Sequence, residues 1–249
     1  MVEIQRLFQE VRKEAKVLSW DGTFEQYLNM AIENPSISRL SHTRIYDMIM
    51  AAGTKPGLYD IPIYELFSGN LFGINNSLDR LVQFLHASAQ GLEVRKRIFL
   101  LLGPPASGKS TVVEVLKKGL ERYSRTDEGA MYTIDGCPLQ EEPLHLVPTS
   151  WREKLAQAHA LYIEGDLCPR CLHNLNFKYN GDISKVKVKR VAYSQSQGLG
   201  IGSFVATDPQ SQDLSRLVGT VDPSLLAHDR LDGAGLAFRL DGELEAANR

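Results

Sequence analysis

The chain is short of net charge, of cysteine and of long apolar runs, and each shortage excludes a class of protein. With 28 basic against 30 acidic residues, the formal net charge is −2. Such a balance gives no global attraction to nucleic acid or to an anionic membrane surface. Cysteine occurs three times, an odd and small number that argues against a disulfide framework. No apolar run approaches the roughly 20 residues that a bilayer crossing needs. Residues 1–10 place Glu3, Arg6 and Glu10 among their apolar positions, so they lack the continuous apolar core of a secretory signal. No internal repeat or low-complexity tract is present. The expectation is a cytoplasmic protein without nucleic-acid or membrane partners.

What is there suffices for a substantial core. The 249 residues are 43% hydrophobic and 23% charged, consistent with one domain carrying an appendage. Residues 1–57 read as small helices. Ile4, Leu7, Phe8, Val11, Ala15 and Leu18 fall on one stripe at helical spacing. Thr23-Phe24-Glu25-Gln26 has capping-box spacing ahead of a second helix. Ser38 to Ala52 reads as a third, stopped by Gly53 and Pro56. The stretch Thr54 to Pro62, with two prolines and a glycine, marks the expected boundary between a segment 1–57 and a domain 63–249.

Beyond that boundary, apolar and helical patterns alternate. Leu78, Leu81, Val82, Leu85 and Ala89 line one face of a helix. Ile98-Phe99-Leu100-Leu101-Leu102 is an apolar run of buried-strand length. Thr111 to Tyr123 suits a helix, Ala130 to Ile134 a second strand, and Lys185-Val186-Lys187-Val188-Lys189 a strand with one wet face. Alternating strands and helices imply an α/β fold around a parallel sheet.

Between the run at 98–102 and the helix at 111–123 lies the most specific motif of the chain. Gly103-Pro104-Pro105-Ala106-Ser107-Gly108-Lys109-Ser110-Thr111 fits G-x-x-x-x-G-K-[ST]. Its glycines let backbone amides converge on phosphate oxygens, and a helix N-terminus adds partial positive charge there. Lys109 would reach the β- and γ-phosphates and Ser110 the Mg²⁺, with Thr111 adding a hydrogen bond. Pro104 and Pro105 have no N–H to offer, so the cradle depends on the amides from Ser107 onward. These residues imply ATP and Mg²⁺ as ligands.

Cys168-Pro169-Arg170-Cys171 has the two-ligand spacing of structural zinc sites. Cys137 and His145 lie upstream and complete a conceivable Cys₃His set, with His173 a further candidate. A redox-inert cysteine pair in a loop is the competing reading.

From Leu71 onward the chain resembles the N-terminal AAA+ ATPase domain of the PrkA-type serine protein kinases. The resemblance rests on Leu71-Phe72-Gly73, the helix ending His86-Ala87-Ser88-Ala89-Gln90-Gly91-Leu92-Glu93, and the phosphate loop. It extends through Asp135-Gly136-Cys137-Pro138, Glu141-Glu142-Pro143-Leu144-His145-Leu146 and Gly165-Asp166-Leu167-Cys168-Pro169-Arg170-Cys171. Asp208-Pro209-Gln210-Ser211-Gln212-Asp213, Leu217-Val218-Gly219-Thr220-Val221-Asp222 and Asp241-Gly242-Glu243-Leu244 continue it. The resemblance implies a P-loop NTPase core, a homo-oligomer with nucleotide sites between subunits, and a protein serine as phosphoryl acceptor in the full-length relative. It also places Phe72, Gly73 and Ile74 against the adenine. On the residues alone they could equally form a plain turn ahead of a helix.

The resemblance also defines what to look for and not find. Phosphoryl transfer needs a second metal-binding carboxylate and a cation at the transition state. No acidic strand, polar sensor or arginine finger is identifiable in residues 1–249. The chain reads as ending before the acidic strand, so weak ATP binding and poor hydrolysis are expected. Asp241 and Glu243 imitate that strand's acids, but Arg239 and Gly242 around them suit a turn better. The protein-kinase strings H-R-D and D-F-G are absent, and no catalytic residue is assigned.

Overall fold

In the computed structural model the described residues are 19–205, 214–221 and 238–247. The expected first helix, with its stripe from Ile4 to Leu18, lies outside them, as does the 208–213 motif. The chain divides into two compact units, one built from the residues up to Ser38 and from Ala130 on, the other from Arg39–Gly129.

The first unit begins with strand β1 (Asp21–Thr23) and helix α1 (Phe24–Glu33). The Thr23 side chain accepts from the Gln26 amide, and the Gln26 side chain accepts from the Thr23 amide, so the capping box is formed. It fixes where the helix starts, and Phe24, Tyr27 and Ala31 then share its buried face.

The second unit follows in the chain. Helix α2 (Ser41–Ala51) is succeeded by a short hairpin of β2 (Thr54–Lys55) and β3 (Ile63–Tyr64). The Pro- and Gly-containing stretch is therefore a tight connection with its ends paired. Helix α3 (Glu65–Ser68) and the long helix α4 (Asn75–Ala89) come next. On α4, Leu78, Leu81, Val82, Leu85 and Ser88 are buried, the face expected from spacing. Helix α5 (Lys109–Tyr123) closes the unit by packing on α2 and α3. Its Val112 and Val115 join Met48, Ile49, Phe67 and the α4 leucines in one core.

The chain then returns to the first unit. Strand β4 (Met131–Ile134), helices α6 (Thr149–His159) and α7 (Pro169–Lys178), and strand β5 (Lys187–Val191) follow. The remaining described elements are short: α8 (Ser215–Val218), β6 (Thr220–Val221), β7 (Phe238–Arg239) and α9 (Glu243–Ala246). The central sheet has the order β1-β5-β4 and both pairings are antiparallel, with Tyr132 opposite Arg190 and Ile134 opposite Val188. Val188 and Arg190 point inward while Lys187 and Lys189 face outward, which is the wet-faced strand expected from the alternation, shifted by two residues because 183–185 form a 3₁₀ turn.

Two expectations are corrected. Among the described residues the sheet pairings are antiparallel, so the parallel sheet is not seen. The run Ile98–Leu102 is not a buried strand: it is irregular, and Ile98, Leu100 and Leu102 are 93%, 71% and 82% exposed. An apolar strand is buried only between neighbours that pair with its edges, and among the described residues none does. No helix of the described residues is long and apolar enough to cross a membrane.

Candidate functional site

The phosphate-loop residues sit at the N-terminus of α5 within the second unit. Gly108 is the N-cap, at φ +84°, and Ala106 takes φ +61°. That left-handed pair lets the loop turn sharply into the helix. A Cβ on Gly108 would lie 2.9 Å from Leu71 Cδ2. Two demands, a positive φ and room for Leu71, therefore converge on glycine here. No side chain caps this helix, so its first-turn amides, unpartnered within the helix, remain available to an anion.

Lys109 opens the helix, and its ammonium folds back over the loop. It donates to the Gly103 carbonyl at 2.9 Å, to the Pro104 carbonyl at 2.5 Å and to Ser107 Oγ at 3.1 Å. A Cβ on Gly103 would approach that Ser107 hydroxyl to 3.0 Å. The charge is thereby held at the loop by acceptors a phosphate can replace, since a charge-assisted bond to an anionic oxygen is stronger than one to a carbonyl.

Beside the loop lies a cleft of about 440 Å³, lined by Asn70, Leu71, Phe72 and Ile74 on one side. Ala106, Ser107, Gly108, Lys109, Ser110 and Thr111 line the other. Gly73, at φ +75°, makes the turn between Phe72 and Ile74, and the Phe72 ring is 81% exposed. The structure thus brings Phe72 and Ile74 together with residues 106–111, all singled out in the sequence. Gly103, Pro104 and Pro105 do not line the cleft; the first two contribute carbonyls to Lys109. Among the described residues no acidic side chain lines the cleft, and Ser110 and Thr111 bring hydroxyls to it. Glu243 is engaged otherwise: its carboxylate accepts from the Ser203 amide at 2.7 Å.

A second cluster lies in the first unit. Cys137 follows the turn after β4, and Cys168 is the N-cap of α7 with Cys171 on its first turn. The three thiols are free and buried. Their sulfurs and a Glu141 carboxylate oxygen all lie within 4.8 Å of one another. Sequence reasoning placed His145 in this set and missed Glu141. The only signal for it is local, since Glu141 follows Cys137 by one helical turn's spacing in the same loop. His145 stands one position further out, its Nδ1 3.6 Å from Glu141 Oε1. His173 stacks on Phe177 instead. Hydrogen bonds from the Cys137 and Cys171 thiols hold the Cys168 thiol far below its ordinary range. The bond to Cys168 pushes the Cys137 thiol up, and the bond to Cys137 does the same for Cys171. Negative charge is therefore favoured at one sulfur, and the other two share its neighbourhood as thiols.

An uncapped helix start, a lysine folded over a glycine loop and an adjoining apolar shelf thus meet in one cleft of the second unit. The sequence profile of the PrkA AAA domain matches residues 22–249, and the chain belongs to that family. It is 42% identical over its entire length to the "ATP-dependent protease PrkA" of Bacillus subtilis (strain 168), of which it spans 39%. It is 29% identical over 203 residues to the "Serine/threonine kinase YeaG" of Escherichia coli (strain K12), spanning 28% of that protein. An "Uncharacterized protein in gldA 5'region" of Geobacillus stearothermophilus is 36% identical over 98 residues, its full length and 39% of this chain. No solved structure matches the chain significantly.

Proposed function

We propose that the chain is the ATP-binding region of a PrkA-type serine protein kinase, taking ATP·Mg²⁺ at Gly103–Thr111. In this reading the triphosphate replaces the loop carbonyls on Lys109 and accepts from the open amides of Ser107 onward, while Ser110 joins the Mg²⁺ shell. Phe72 and Ile74 supply the apolar shelf for the base, with Gly73 as the turn between them. The observation that carries the proposal is the cleft shared by residues 70–74 and 106–111. The described lining residues include no carboxylate, which supports affinity without efficient turnover, because Mg²⁺ then depends on hydroxyls, the phosphates and water. Bound Mg²⁺ would neutralise phosphate charge; this chain's own residues bind and orient the nucleotide.

In a full-length relative, ATP binding would serve phosphoryl transfer to a protein serine. A second reading, ATP-driven proteolysis or remodelling, is favoured by the name of the Bacillus subtilis relative at 42% identity. Titration calorimetry of the chain with ATP and MgCl₂ tests the shared part. Saturable uptake with negligible phosphate release is expected, and no heat of binding would end the proposal. With a full-length relative, γ-label appearing on protein serine supports the kinase reading, and ATP-dependent peptide cleavage without label transfer supports the other.

A further inference from the structure

The Cys137 and Cys168 sulfurs are 4.0 Å apart, and Cys137 Sγ lies 3.6 Å from Glu141 Oε2. Tetrahedral Zn²⁺ with Zn–S of about 2.3 Å and Zn–O of about 2.1 Å sets sulfur–sulfur edges of about 3.8 Å and sulfur–oxygen edges of about 3.6 Å. The spacing found is therefore that of ligands around one ion, with no large rearrangement required.

The surroundings are built for charge on these atoms. The Glu141 amide donates to Cys137 Sγ at 3.5 Å and the Cys171 amide to Cys168 Sγ at 3.3 Å. Glu141 is 3% exposed, and its Oε1 accepts from the Cys168 amide at 2.6 Å. A carboxylate buried so deeply needs a compensating cation. The nearest basic atom, His145 Nδ1, is buried without a hydrogen-bond partner. The other ring nitrogen, Nε2, lies 2.7 Å from the Glu164 carbonyl, which can only accept, so Nε2 carries the proton. In that tautomer Nδ1 has no proton to donate to the carboxylate 3.6 Å away.

The scaffold is fixed independently of any ion. Arg152 donates to the Gly165 carbonyl at 2.7 Å and pairs with Asp166 at 3.2 Å. Gly165 has φ +92°, and a Cβ there would meet His145 Nε2 at 3.1 Å. The loop delivering Cys168 is accordingly held in place from both sides.

We propose that Cys137, Cys168 and Cys171, with Glu141 through Oε2, bind one Zn²⁺ as a closed structural site. Three soft thiolates with one carboxylate suit zinc, and four buried protein ligands leave no position for substrate water. Binding at pH 7 releases the thiol protons that the metal-free cluster retains. The ion ties the loop after β4 to the start of α7, two segments about thirty residues apart in sequence that share one core.

The test is metal analysis of the full chain purified without chelators, joined to native mass spectrometry. One zinc per chain is expected, with the three thiols unreactive toward a disulfide reagent until the metal is displaced. Replacement by Co²⁺ should give thiolate-to-cobalt charge transfer and intense tetrahedral visible bands that saturate at one equivalent. Cys171→Ser should lose the cobalt spectrum. Glu141→Gln keeps all three sulfurs but removes the carboxylate ligand, and should weaken zinc binding by at least about 10-fold. Folded wild-type chain that carries no zinc and shows no cobalt bands would overturn the site. A Cys137–Cys168 disulfide, or iron in place of zinc, would overturn it equally.

Discussion

The Lys109 ammonium and the Gly103 carbonyl are joined by a 2.9 Å hydrogen bond across the phosphate loop. The loop's first glycine and its lysine therefore hold each other, and in the proposed function nucleotide binding is an exchange of acceptors. Lys109→Ala removes the single ammonium among the described residues of the cleft. Hydrogen bonds to charged groups contribute about 1.5–3 kcal/mol, so ATP affinity should fall about 10–100-fold in calorimetry. Because the carbonyls it leaves are solvent-accessible, folding stability should move by no more than about 0.5 kcal/mol. Undiminished ATP uptake by the variant would remove the basis of the proposed function.

Gly108→Ala attacks the same site through the backbone. The residue would have to keep φ +84° and place its Cβ 2.9 Å from Leu71 Cδ2. Left-handed backbone costs a residue with a Cβ about 1–2 kcal/mol, and the Leu71 approach adds to it. A lowered urea midpoint together with weaker ATP binding is expected. A variant as stable as wild type would show that the turn relaxes without cost.

The helical part of this architecture was readable because its signals are local. The capping box at Thr23 and Gln26, and the α4 stripe from Leu78 to Leu85, each lie within a few residues of what they specify. The phosphate loop is equally local, and its register on α5 follows from Gly108 and Lys109. What failed was non-local. The apolar run Ile98–Leu102 has the composition of a buried strand, but composition cannot say whether another strand lies alongside. Glu141 escaped for a related reason: its role depends on Cys168, 27 residues away, donating to its carboxylate. His145 was read as a ligand from spacing, and the structure inserts Glu141 between it and the sulfurs.

Thr23→Ala checks the local part directly. It deletes the acceptor for the Gln26 amide and breaks the reciprocal bond that starts α1. A loss of about 1 kcal/mol in chemical denaturation is expected. Thr23→Ser, which retains the hydroxyl, should recover most of it.

Tyr64 gives the fold a dependence on high pH. Its side chain is buried, and its hydroxyl donates to Asp79 Oδ1 at 2.9 Å. Burial raises the phenol's pKa, and the hydrogen bond and negative charge of Asp79 raise it further. The folded state thus favours the neutral phenol. Its contribution is complete below the ordinary value of about 10 and is lost as pH rises toward the folded value, because the unfolded chain ionises first. Urea midpoints measured between neutral pH and about pH 11 should decline at the alkaline end, and Tyr64→Phe should make that decline shallower. An identical alkaline slope in the two proteins would show that Tyr64 ionises equally in both states.

Leu100 and Leu102 test the one element that departs most from its composition. At 71% and 82% exposure they contribute little apolar burial, so Leu100→Ser and Leu102→Ser should each change stability by no more than about 0.5 kcal/mol. Phe67, 1% exposed in the core of the same unit, supplies the contrast, since truncating a buried phenylalanine to alanine costs about 3–5 kcal/mol. The serine variants should also associate less than wild type in sedimentation, because a run of exposed apolar side chains favours contact between copies. Should either leucine variant instead lose stability on the scale of Phe67→Ala, the run at 98–102 is buried in solution, and the strand expected from its composition is formed after all.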